Sequence, residues 1–129
     1  MPEIKENLDL LIKLQPLFKR VLGEWKFGEK AYSLDKQCVG IYSSSIITSR
    51  GEFLYFNTFF GHFTESDNPI RVPTFEELWG MVDWSKYPFT NFTKGVLEID
   101  VKGRIYTRYG KWIDPYTALL KALCSQEGI

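Results

Sequence analysis

The chain is poor in the residues that carry most neutral-pH chemistry: it has a single histidine, His62, and two cysteines, Cys38 and Cys124. One imidazole excludes a multi-histidine metal site within one chain and restricts proton transfer near neutral pH. The cysteines stand far apart, in no C-x-x-C pair and at no zinc-ligand spacing. Buried thiols are the expectation for a cytosolic protein, and a disulfide only for an exported one. No apolar run approaches the ~18 residues that a membrane span needs. Residues 1–7 are polar, without the basic and then apolar stretches of a secretion signal, so a cytoplasmic location is expected. The sequon Asn91-Phe92-Thr93 then has no bearing on glycosylation. Charge is balanced, with 16 Lys and Arg against 16 Asp and Glu. That excludes a generally basic nucleic-acid coat or polybasic membrane binder, though not a local patch. Neither a P-loop, a G-x-G-x-x-G fingerprint nor a G-x-S-x-G nucleophile elbow is present.

What the chain does have is rings. Aromatics make up 16% of its 129 residues, as ten Phe, seven Tyr and four Trp. A chain of this length fits one domain and buries ~65–70% of its unfolded surface, so it needs neither disulfide nor metal to fold.

Ile4, Leu8, Leu11, Ile12, Phe18, Val21 and Leu22 recur at helical spacing and predict a helix over 3–22. Pro16 removes a backbone donor inside it and predicts a kink or break near Leu14-Gln15, with Gly23 as the stop. Residues 25–61 read as about three strands. Ser49-Arg50-Gly51 suits a three-residue bulged turn, setting Thr48 opposite Glu52 and Ile47 opposite Phe53. Residues 61–73 read as a polar loop. Thr74 and Glu77 form a capping box opening a short helix that ends near Trp84. Residues 85–94 read as loop. Residues 95–109 read as a hairpin turning on Val101-Lys102-Gly103, with Asp100 opposite Arg104 and Ile99 opposite Ile105. The last helix has Asp114 as N-cap, Pro115 in its first turn, a stripe of Ala118, Leu119, Ala122 and Leu123, and Gly128 as stop. Together these predict a single α+β domain. Its mostly antiparallel sheet of about five strands is packed by N-terminal, middle and C-terminal helices.

Catalytic patterns are thin. Ser43-Ser44-Ser45 lies on a strand without an elbow, and fits a polar strand face. His62 and Glu65, with Asp67 nearby, place an imidazole among carboxylates, but lack the three ligands at fixed spacing of a metal site. No cofactor and no catalytic residue is called for. Arg104, Tyr106, Arg108, Lys111 and Trp112 form a basic-aromatic stretch that could stack bases and meet phosphates of single-stranded nucleic acid. Glu98 and Asp100 on the same strand face would offset it. Phe53, Tyr55, Phe56, Phe59, Phe60 and Phe63 put six rings in eleven residues, more than one strand face needs. The surplus reads either as a strand buried on both faces or as a surface for a partner or a second copy.

The second half also resembles a loose class of small accessory proteins encoded by phages, prophages and related mobile elements. The resemblance rests on Val72-Pro73-Thr74-Phe75-Glu76-Glu77-Leu78-Trp79 and on Asp114-Pro115-Tyr116-Thr117-Ala118-Leu119-Leu120-Lys121-Ala122-Leu123, and covers residues ~70–129. It implies an accessory role in a bacterial host and transfers no catalytic motif. The leading expectation is a non-enzymatic protein that binds another protein or itself through Tyr55, Phe59, Trp79 and Trp84. The alternatives are nucleic-acid binding through residues 104–112, or a ligand pocket between sheet and helices served by His62 or Glu65.

Overall fold

The computed structural model describes residues 2–86, 90–93, 96–101, 104–106 and 115–129. The chain is α+β, with a five-stranded antiparallel sheet. It sorts into two compact units, Gln15–Pro73 and a second built from Met1–Leu14 and Thr74–Ile129.

The N-terminal helical pattern is realised as three short helices, α1 (Pro2–Glu6), α2 (Leu8–Lys13) and α3 (Gln15–Leu22). The break expected from Pro16 falls at Leu14, and it coincides with the boundary between the units. Pro16 is tolerated because it occupies the first turn of α3, where its missing N–H has no helical partner to lose. Gly23 ends α3 at φ +70, its N–H donating to the Lys19 carbonyl at 3.0 Å. Ile4, Leu11, Leu14, Leu17 and Phe18 are buried, whereas Ile12 and Val21, expected on the apolar stripe, are exposed. Splitting the helix at Leu14 resets the phase of the stripe.

In the Gln15–Pro73 unit the strands are β1 (Lys30–Ser33), β2 (Cys38–Thr48), β3 (Gly51–Thr58), β4 (Gly61–Thr64) and β5 (Pro69–Arg71). They are ordered β4-β3-β2-β1-β5, every pairing antiparallel. Residues 61–73, expected as loop, therefore contribute both edge strands. Their local composition favours turns, but β3 and β1 offer unpaired backbone on their outer sides, and such pairing overrides local propensity. Between them Thr64 caps a single 3-10 turn (Glu65–Asp67), its N–H donating to Asp67 Oδ2 at 3.0 Å.

The β2–β3 register differs by one from the expected one: Thr48 faces Gly51, Ile47 faces Glu52 and Ile46 faces Phe53. The connection is two residues, Ser49-Arg50, tied down by the Thr48 hydroxyl, which accepts from Arg50 N–H at 3.2 Å. Gly51, directly after this connection, takes the positive φ of +120, and an irregularity between Tyr42 and Ser44 widens the offset, so that Tyr42 faces Phe56.

One face of this sheet forms the core. Phe56 pairs with Tyr42 on one side and Phe63 on the other. The Phe56 and Phe63 rings stack at 4.9 Å, and Trp25 meets Phe56 edge-on at 4.9 Å. Gly40 lies under the Phe63 ring, so the ring occupies the space a side chain there would need. At the β5 edge Arg71 is buried. Its backbone N–H donates to Gln15 Oε1 at 2.8 Å, and its carbonyl accepts from Gln15 Nε2 at 3.0 Å. The amide of Gln15 thus stands in for a neighbouring strand at one residue.

The other unit holds α4 (Phe75–Met81), β6 (Thr90–Thr93), β7 (Val96–Val101), β8 (Arg104–Tyr106) and α5 (Pro115–Gln126), besides α1 and α2. The capping box is present: Glu77 N–H donates to Thr74 Oγ1 at 3.1 Å and Thr74 N–H to Glu77 Oε1 at 2.9 Å. Helix α4 stops at Met81, three residues before the expected Trp84, which begins a 3-10 turn (Trp84–Lys86). Residues 85–94, expected as loop, include β6, which pairs with β7 in a three-stranded sheet ordered β6-β7-β8. In the β7–β8 hairpin Val101 faces Arg104, Asp100 faces Ile105 and Ile99 faces Tyr106. The expected Asp100–Arg104 and Ile99–Ile105 pairs are replaced by a register one residue tighter, the same change as at β2–β3. Residues 107–109, expected to extend this hairpin, and Asp114 lie outside the described residues. On α5, Leu119, Leu120, Ala122 and Leu123 are fully buried, and Gly128 follows at φ +73.

Candidate functional site

The two-residue register places Phe59 and Phe60 at the turn between β3 and β4, where Thr58 faces Gly61. Such turns are normally made of Asn, Asp and Gly. Here two phenylalanines occupy it, 91% and 95% exposed, with their rings edge-on at 4.7 Å. Neither ring reaches the core, so their burial contributes almost nothing to folding. The pair therefore forms a candidate contact surface. Phe27 and Ile47 are also strongly exposed, at 83% and 82%.

Tyr55 behaves differently. It lies on the face of β3 opposite Phe56, half-buried, and stacks on His62 at 4.7 Å with 16° between the planes. Phe63, which continuous alternation would set opposite Phe56, instead joins it in the core, because the turn at Phe59-Phe60 restarts the alternation in β4. Periodicity through residues 53–63 misleads for that reason. Phe60 and Phe27 were not among the residues expected to bind. The signal for Phe60 was present as an aromatic pair followed by Gly61, a hairpin-length gap between strand-forming runs. Phe27, between Lys26 and Gly28, had the alternation of a strand and none of its neighbours.

Trp79 and Trp84 come together in the other unit. Their rings lie 4.2 Å apart, Trp84 Nε1 donates to the Trp79 carbonyl at 3.0 Å, and Phe75 stands 5.9 Å from Trp79. Both tryptophans are half-buried, so each keeps only part of its surface for a partner. Of the basic-aromatic stretch, Arg104 and Tyr106 fall within β8, while Arg108, Lys111 and Trp112 lie outside the described residues.

The polar groups near His62 have structural work. Glu65 Oε1 accepts from Leu54 N–H at 3.1 Å and Asp67 serves the capping box at Thr64. Among the described residues no group of three His, Cys, Asp or Glu side chains could hold a metal ion. The serines of β2 are also engaged: the Ser43 hydroxyl donates to the Tyr55 carbonyl at 3.3 Å, and that of Ser45 to Glu52. Cys38 and Cys124 are free thiols. Burial pushes the Cys124 thiol above its ordinary value, with the Lys13 ammonium opposing the shift. No helix in the described residues is long and apolar enough to cross a membrane. The chain matches no known protein family, no curated protein and no solved structure.

Proposed function

We propose that this protein acts by binding, with the Phe59-Phe60 turn as the anchor that engages a protein partner or a second copy of the chain. The supporting observation is the near-complete exposure of both rings at one hairpin tip. A buried phenylalanine contributes roughly 1.5–3 kcal/mol relative to an exposed one, so a partner that covers both gains a compact hot spot. Tyr55, beside His62, and the paired Trp79 and Trp84 are proposed as further contacts. No catalytic residue belongs to this reading. An accessory role in a bacterial cytoplasm, expected from the resemblance of residues ~70–129 to phage and mobile-element proteins, is part of the same proposal.

The test is the double variant Phe59→Ser/Phe60→Ser, compared with the parent by sedimentation velocity across a concentration series. A parent that dimerises where the variant stays monomeric supports self-association. If both are monomeric, quantitative capture from a bacterial lysate follows. A protein retained by the parent and released by the variant supports a separate partner, and indistinguishable capture by the two overturns the proposal.

A further inference from the structure

The Gln15–Pro73 unit carries a second feature away from the ring turn. A cleft of about 440 Å³ is lined by Gln15, Lys19, Gly23, Glu24, Trp25, Pro69 and Arg71. Its volume lies within the range of small-molecule sites, roughly 300–1,000 Å³. The chemistry centres on Arg71, which is only 5% exposed. A guanidinium offers five N–H donors, and burial is costly for each one left unmet.

The protein meets only some of them. Nη1 donates to the Phe18 carbonyl at 3.3 Å, Nε stands 3.5 Å from Glu29 Oε2, and the Trp25 ring lies 4.6 Å from Cζ. Among the described residues Nη2 makes no hydrogen bond. The guanidinium is also held in place: the Gln15 amide clamps the Arg71 backbone from α3, and Trp25 is itself wedged against Phe56 and Tyr42. With Nε and Nη1 engaged, Nη2 of this fixed guanidinium is the nitrogen left for an acceptor in the cleft that Arg71 lines.

We infer that this cleft binds a small organic carboxylate, which takes its hydrogen bonds from Arg71 Nη2 and its charge complement from Lys19. Two features select a carboxylate over phosphate. Glu24 and Glu29 close to the site repel a second negative charge. Trp25 and Pro69 provide apolar wall for an organic body that an inorganic ion lacks. The site is independent of the ring turn, so its failure would leave the binding proposal untouched.

The test is a titration of the full chain, labelled with nitrogen-15, with sodium benzoate. Sodium chloride and inorganic phosphate at matched ionic strength are the controls. Saturable shifts of the Gln15 side-chain amide and the Trp25 indole N–H are expected with benzoate and not with either control. Lys19→Glu reverses an exposed charge without touching the core, and it should weaken benzoate at least tenfold. Arg71→Lys keeps the charge, loses Nη2 and should abolish saturation. Non-saturating shifts, an equal response to phosphate, or unchanged affinity in Lys19→Glu would each overturn the inference, and the last needs no substitution at the buried arginine.

Discussion

Gly40 shows how tightly single positions are specified. A side chain there would collide with the Phe63 ring and stand 3.2 Å from Phe56 Cβ. Both rings are fully buried and cannot swing away. Gly40→Ala should therefore destabilise the protein by ~1–3 kcal/mol in urea unfolding. Phe56→Ala should cost ~3–5 kcal/mol by leaving a cavity. Phe59→Ser should change stability by less than ~0.5 kcal/mol, since its ring touches no core. The contrast between Phe56 and Phe59, three residues apart, separates rings that hold the fold from rings available to a partner. Cys124 provides a pH test. Its folded-state value is raised, so the neutral thiol is the form the native state prefers. The associated stability is fully present below the ordinary value of 9.0 and is lost as pH rises through the folded value. Unfolding free energy should fall more steeply above pH 9 in the parent than in Cys124→Ala. With a thiol-reactive dye, half-exposed Cys38 should react before Cys124.

At the scale of elements, the caps and turns carry local instructions that tertiary pairing then uses or overrides. Thr74 and Glu77 exchange hydrogen bonds as their spacing requires, so Thr74→Ala should lower stability by about 1 kcal/mol, read as a lower melting temperature. The β2–β3 hairpin extends beyond its neighbours: β1 pairs with β2 only over Cys38–Ile41, and β4 with β3 only over Tyr55–Thr58. Residues 44–54 consequently pair almost entirely with each other. Hydrogen exchange should be faster there than at Ala31 or Ile41, which pair with strands on both sides. The helical caps and the Pro16 break were legible because each depends on residues within four positions. The strands β4, β5 and β6 were not, because their sequences are turn-like and their hydrogen bonds come from segments elsewhere in the chain.

For the whole molecule, balanced charge and exposed rings act together. The isoelectric point lies near pH 6.6. With little net repulsion at that pH, contacts through Phe59 and Phe60 are least opposed. Sedimentation of the parent should show its strongest concentration dependence near pH 6.6 and a weaker one at pH 9, and the double serine variant should flatten both. The molecule's α+β class followed from sequence, since periods near 3.6 and 2 appear in separate stretches. Helix positions, the capping box, the break at Leu14 and the stops at Gly23 and Gly128 were determined locally by capping chemistry, proline and glycine. The registers of both hairpins, the edge strands, the core role of Phe63 and the exposure of Phe59 and Phe60 were decided by tertiary structure. A shift of one residue at a turn reverses which side of a sheet a ring faces, and only the pairing of distant strands selects that shift. The buried Arg71 depended on the same cause: its partners Gln15, Phe18, Trp25 and Glu29 lie far from it in sequence and meet it only when α3 and β5 come together.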